Sequence, residues 1–434
     1  MQKLQKFKKT ELGEIPQEWS IDKLGNLVNI LVGYPFPSKE YSDIGIRLVR
    51  GDNVTEGKLR WGDRIRYWNK VTPHLKKFLL KKDDYLIGMD GSKVGKNYAR
   101  VREDDLPCLL VQRVACLRVN DKLIQNYLDY IIGNKDFIDY VDSTKTNAVI
   151  PHISSRQISD YKIRVPTVKE QQKIASILSN VDELIQKTEQ IIEQTQRLKE
   201  GLMQRLLTKG IGHTKFKKVK FHLRFLEEQV PESWSIKPIK KVSISGFRNG
   251  IFKKRNEFGT GVPLVNVSDL FSENDINIKT LERVRVNNNE LKQFAIEEGD
   301  IFFCRSSLVI DGIGRSNIVT TLPEPSVFEC HVMMLRPDKE KIIPKFLKYY
   351  LDSQIAKKFL FSIAMTLTMT TIRQPDLENL PIVLPSLEEQ RKIISHLKQI
   401  DTKINYEKLR LENLSSLKKG LMQQLLTGKI RVKV

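Results

Sequence analysis

The sequence is short of the residue patterns that mark most metal sites, secreted scaffolds and self-sufficient catalysts. Cysteine occurs four times in 434 residues, as Cys108, Cys116, Cys304 and Cys330. None forms a CxxC pair or a zinc-type spacing, so all four read as reduced core thiols. The six histidines are scattered and build no HExxH helix, so no metal ligands are assigned. There is no Pro-Pro pair, which removes the Asp/Asn-Pro-Pro-aromatic motif of a self-sufficient amino-methyltransferase. No apolar run approaches the ~20 residues that cross a bilayer. The opening stretch "MQKLQKFKKTELGEIP" has no apolar signal core. A soluble, cytoplasmic protein with no membrane partner is the expectation.

Two near misses complete the negative side. "DGSKVGKN" (Asp90–Asn97) departs from a phosphate loop at both ends: Asp90 stands at the first glycine and Asn97 at the magnesium-holding Ser/Thr. Asp43 with Glu56 and Lys58 faintly resembles a two-metal nuclease cluster. The corresponding place later in the chain holds Ser272, so that arrangement is not repeated. No catalytic residues are assigned.

What is abundant is positive charge and internal repetition. The net charge is +21, from 73 basic against 52 acidic residues, which favours a polyanionic partner, above all nucleic acid. "LKEGLMQRLLTKG" (Leu198–Gly210) returns as "LKKGLMQQLLTGK" (Leu417–Lys429), 219 residues on. Between 165–208 and 384–427, 19 of 44 aligned positions are identical, which marks a duplication. It extends upstream: "IPQEWSI" (Ile15–Ile21) matches "VPESWSI" (Val230–Ile236), and "DDYLIG" (Asp83–Gly88) resembles "GDIFFC" (Gly299–Cys304). The chain therefore reads as a first domain (1–165), a central helix (166–210), a second domain (211–385) and a C-terminal helix (386–434).

Both helices open alike. Pro166 and Pro385 discourage helix upstream. Thr167 with Glu170, and Ser386 with Glu389, form capping boxes, and Gly210 and Gly428 suit left-handed C-terminal caps. In the first, Ile174, Leu178, Val181, Ile185, Ile192, Leu202 and Leu206 follow a four–three alternation, with Thr188 and Thr195 in the same seam. In the second, Ile393, Leu397, Ile400, Ile404, Leu411, Leu414, Leu421 and Leu425 do so. Two such seams in one chain predict an antiparallel coiled-coil pair acting as a spacer. Gly201 and Gly420 lie inside these helices at a cost of ~1 kcal/mol against alanine. That predicts close backbone approach, by the other helix or by a partner; a relic of common ancestry is the alternative.

Each domain mixes β-type runs ("DYLIG", "VACLRV"; "DIFFC", "HVMML") with the helical stretches Lys122–Val141 and Ile343–Leu360. The predicted class is α+β: two similar domains with mixed twisted sheets, joined by the two long helices as a pseudo-two-fold tandem repeat. The segments that differ between copies are basic, hydroxyl- and amide-rich, the residue types that hold phosphates and read base edges. The DNA-binding candidates in the first copy are Lys93, Lys96, Asn97, Arg100, Lys145, Thr146, Asn147 and Arg156. In the second they are Arg248, Lys253, Lys254, Arg255, Arg305, Ser306, Arg315, Thr368 and Arg373.

"KTELGEIPQEW" (Lys9–Trp19), the two P-x-x-x-EQ-x-KI helix starts and the two "GLMQ-LLT" endings resemble the specificity subunit of type I restriction–modification systems over nearly the whole chain. The resemblance implies two target-recognition domains, each reading one half of a split site in double-stranded DNA. It implies that the helices set the spacing and dock two methyltransferase subunits, with motor–nuclease subunits completing the enzyme. S-adenosylmethionine, ATP and magnesium would serve those partners, and this chain would bind no cofactor. Two alternatives remain: a coiled-coil architectural protein without sequence preference, and the metal-dependent nuclease noted above.

Overall fold

The computed structural model describes residues 6–63, 65–146, 149–220, 227–307, 312–366 and 370–434. Its contacts divide into two compact units, residues 1–188 with 410–434, and residues 189–409. Each therefore holds one half of each long helix.

In the first unit the apolar runs pair as an antiparallel four-stranded sheet, in the order Tyr98–Arg100, Tyr85–Gly88, Val114–Val119, Val28–Val32. Strand residues alternate between faces, and here both faces are covered. Ala115 and Leu117 join the cluster that includes Tyr127, Phe137 and Ile174. Val114 and Cys116 join one formed with Leu48, Val49 and Leu109. That second layer is a mixed three-stranded sheet, with Ile46–Val49 parallel to Cys108–Leu110 and antiparallel to Tyr67–Trp68.

The second unit repeats this plan. Its antiparallel sheet has the order Ser243–Asn249, Val332–Pro337, Ile301–Cys304, Ser316–Ile318. Phe303, Met333 and Leu335 face the helical layer, while Phe302, Cys304 and Met334 face the other. The mixed sheet pairs Phe258–Val265 in parallel with Val327–Phe328 and antiparallel with Arg283–Val284. The class is α+β, with the scaffold duplicated.

The stretches read as single helices are each broken into two. The first gives Gln125–Ile131 and Lys135–Thr144. Gly133 between them has φ +83°, and a Cβ there would lie 2.1 Å from the Tyr98 ring, so only glycine fits. The second gives Pro344–Asp352 and Gln354–Ile363, with Ser353 capping the latter through Ala356 N–H.

The long helices run Val168–Lys209 and Leu387–Leu425. Within each unit their halves pair antiparallel. In the first, Asp182 meets Lys418 at 2.6 Å while Glu170 meets Arg431, so one index falls as the other rises. In the second, Lys199 meets Asp401 at 2.6 Å and Ile211 N–H reaches Glu389. Every named seam residue is buried or half-buried. Seam residues at the helix starts do more than pair: Ile174 and Leu178 sink into the core of the first unit, Ile393 and Leu397 into that of the second. Burying such a side chain contributes ~1.5–3 kcal/mol. Thr188 and Thr195, also buried, bond their hydroxyls back to Leu184 and Ile191 carbonyls.

The glycine expectation needs correction. Gly201 and Gly420 are exposed, and a Cβ at either meets nothing within 4 Å. No close approach by the other helix accounts for them. Gly210 and Gly428 do adopt the left-handed cap, at φ +64° and +74°. A Cβ on Gly210 would strike Trp234 and Glu389; one on Gly428 would strike Pro16.

Candidate nucleic-acid interface

Strand direction gathers the divergent segments. In the second unit, Ser243–Asn249 and Ile301–Cys304 end where Val332–Pro337 and Ser316–Ile318 begin, because all neighbours are antiparallel. One edge of the sheet therefore carries the turn after Asn249, Arg305 and Ser306, Arg315, and the turn 329–331. Ser306 pairs with Thr371, and Ile372 N–H donates to Arg305 C=O, so the 370–373 segment reaches the same edge. Residues far apart in sequence thus form one tip. Lys254, Arg255, Arg305 and Arg315 are exposed there, Arg315 lying 5.6 Å over the Phe271 ring.

The first unit builds the equivalent tip from the segments after Val32 and Gly88 and before Tyr98 and Val114. Lys93 and Lys96 are exposed on it. Gly91 N–H donates to Pro151 C=O, and Thr146 N–H to His152 C=O, which ties in the 145–152 loop. Beside it lies a hollow of about 400 Å³ lined by Asp52, Thr55, Glu56, Arg60, Lys93 and Asn97. Both donors and acceptors line it, as suits base edges.

The other predicted residues either lie away from these edges or have side chains engaged or partly buried within the chain. Arg100 lies at the opposite end of its strand, where it bonds Asp83 (2.9 Å), Asn126 (2.8 Å) and Asp129 (2.7 Å). Burial there raises the pKa of Asp129, and Arg100 opposes the shift. Lys253 has a side chain only 7% exposed, bonded to Glu257 (3.0 Å) and Glu290 (2.9 Å). Lys145 pairs with Asp142, Arg156 is exposed on its helix near Asp160, and Arg373 pairs with Asp376. Arg248 is half-buried, with its Nε buried and unbonded. Asn147 and Thr368 lie outside the described residues.

Sequence reasoning missed Arg113, which has φ +67° and reaches Asp90 at 2.8 Å from the first tip. It also missed His331 at the matching turn. The available signal was an arginine or histidine directly before a strand whose first four residues are buried. Among the described residues, Glu329, Cys330 and His331 are the only set of three or more Cys, His or carboxylate side chains with ligand atoms all within 4.8 Å of one another. The His331 Nδ1–Glu329 hydrogen bond at 2.5 Å accounts for that closeness. Of the nuclease candidates, Glu56 lines the hollow, while Asp43 and Lys58 do not.

The repeated "EQ" pairs explain how each unit is clamped to its helix. Glu170 accepts from Trp19 Nε1 at 3.1 Å and from Arg431 Nε at 2.7 Å. Glu389 accepts from Trp234 Nε1 at 2.9 Å, from Ile211 N–H at 3.0 Å, and sits 2.8 Å from His213 Nε2. Gln171 accepts from Ile124 N–H and donates to the Lys122 and Pro166 carbonyls. Gln390 does the same with Ile343, Lys341 and Pro385.

A scaffold duplicated around fixed clamps, with charged tips that differ, defines a two-part DNA reader. The model for the type I restriction modification DNA specificity domain matches residues 16–197 and again 231–415, and the chain belongs to that family. It is 28% identical to the type I restriction enzyme MjaVIII specificity subunit of Methanocaldococcus jannaschii, covering 99% of this chain and 97% of that one. It is 23% identical to the EcoBI specificity subunit of Escherichia coli, over 92% and 84% of the two chains. Among solved structures, a chain of a type I restriction–modification system, solved in a study of its assembly and conformational transition, superposes with TM-score 0.58. That match covers 96% of this chain and 99% of that one at 16% identity. The type I specificity subunit from M. genitalium superposes with TM-score 0.53 at 15% identity, over 94% and 96%.

Proposed function

We propose that this chain is the non-catalytic specificity subunit of a type I restriction–modification enzyme, and that each tip reads one half of a bipartite, asymmetric site in double-stranded DNA. The carrying observation is that the four-stranded sheet and the mixed three-stranded sheet are repeated in the same order while the side chains at the two tips are not. Two copies of one reader would keep their tips alike; two readers of different base sequences would not. The long helices set the number of base pairs between the half-sites. Methylation from S-adenosylmethionine and ATP-driven, magnesium-dependent cleavage belong to methyltransferase and motor–nuclease subunits that assemble on this chain.

A repeated surface supports two copies of the methyltransferase partner. Identity between the long helices at buried positions follows from packing. Leu198, Gly201 and Gln204 are exposed, yet they return as the exposed Leu417, Gly420 and Gln423. The two leucines are 55% and 51% exposed. A stripe at i, i+3, i+6 kept in both copies, with an open glycine at its centre, suits a partner helix packing closely on each.

The test is selection from a randomised duplex pool by the full chain co-purified with its methyltransferase subunits. Two short fixed half-sites separated by unselected positions are expected, bound ~10³-fold or more above random duplex and steeply salt-dependent. Tight binding without enrichment of any site would instead indicate an architectural protein.

A further inference from the structure

We infer that Phe252 is a stacking wedge: an apolar side chain that the second unit inserts at a base step of its half-site. The inference rests on the DNA-reading function proposed above.

The turn carrying Phe252 is fixed on both sides. Before it, a Cβ on Gly250 would lie 2.1 Å from the Phe328 carbonyl oxygen, so glycine permits the close approach. Ile251 N–H donates to that same carbonyl at 2.8 Å, and Ile251 is buried. After it, Lys253 is held by Glu257 and Glu290, and Glu257 accepts from Lys254 N–H at 2.9 Å. Between two anchored neighbours, Phe252 is 70% exposed. A turn this well tied could bury an aromatic ring, as its counterpart does. In the first unit Gly33 makes the same approach, 2.1 Å from the Val111 oxygen, and Tyr34 bridges Val111 as Ile251 bridges Glu329. There Pro35 takes the place of Phe252, and Phe36 is buried.

The ring's surroundings specify the ligand. Lys254 and Arg255, the next exposed side chains, are cations, and Arg305 and Arg315 stand on the same edge of the sheet. An apolar ring amid cations fits a duplex better than an apolar protein surface. The cations hold phosphates while the ring enters the stack, as wedge residues do in DNA-bending proteins. The two units should therefore treat their half-sites differently, with unstacking confined to the half read by the second.

The experiment uses the full chain with its methyltransferase subunits and the duplex it selects, with 2-aminopurine placed in turn through both half-sites. Besides any base flipped out by the methyltransferase subunits, the unsubstituted chain should raise fluorescence at one further step, in one half-site only. Phe252→Ala should abolish that rise and weaken binding about tenfold to hundredfold, leaving the salt slope and thermal stability unchanged. Phe252→Trp should restore both. A Phe252→Ala protein that keeps the fluorescence rise and the affinity overturns the inference, as does one whose defect is lost assembly with the methyltransferase subunits. If the unsubstituted chain selects no site, the DNA-reading function itself fails, and the two failures are distinguishable.

Discussion

Four side chains carry the joints between domain and helix, and they do so in pairs. Glu170 and Glu389 each gather a buried tryptophan and a neighbouring donor. Gln171 and Gln390, both without exposed surface, each satisfy one N–H and two carbonyls that no secondary structure serves. Removing one leaves buried polar groups unmatched, which costs more than a hydrogen bond contributes. Gln390→Ala is therefore expected to destabilise by about 2–4 kcal/mol, read by urea denaturation; a loss below about 0.5 kcal/mol would contradict the clamp. Gly201→Ala should act the other way. Its Cβ meets open space, so the helix should gain about 0.5–1 kcal/mol, and thermal unfolding followed by circular dichroism checks the sign. A bulky replacement, Gly201→Leu, should leave the fold intact but weaken methyltransferase-subunit binding. The capping was legible because it is local: Glu170 bonds back to Thr167, and Ser386 accepts from Glu389 N–H. The glutamines and tryptophans were not, because their partners lie from about 50 to 150 residues away in sequence.

At the scale of elements, the long helices were readable because a four–three alternation over forty residues has no competing explanation in a strand or loop. Their dual use was less readable. Ile174 and Ile393 obey the seam pattern, yet they face domain cores as much as a second helix. The broken helices at Gly133 and Ser353 were missed because apolar periodicity runs through both breaks. The tip was hidden for another reason: it is assembled by strand pairing, which brings Arg255, Arg305, Arg315 and Thr371 to one edge with no signal in local sequence. Helix pairing itself can be tested by double-mutant cycles. Asp182 with Lys418, and Asp401 with Lys199, are equivalent pairs about one-third exposed. Tyr130 and Tyr349 hydroxyls donate to the two aspartates at 2.8 and 2.6 Å. Screening limits each coupling to about 0.5–1 kcal/mol, falling with added salt. A coupling of zero in one pair and not the other would contradict the equivalence of the two halves.

For the whole molecule, duplication explains how one chain recognises an asymmetric target. The main sheets and the Glu–Gln clamps are shared, while the tip side chains that would read bases differ between the copies. Deleting one heptad from both long helices should shorten the preferred spacer by about 3 bp and leave the half-sites unchanged, as site selection would show. The central claim, one reader for each half-site, is tested most directly by repeating that selection with Lys93→Ala/Asn97→Ala, a change confined to the first tip. The account predicts that one half-site becomes degenerate while the other half-site and the spacer persist. Loss of both halves together, or a target that is one uninterrupted run of bases, would contradict it.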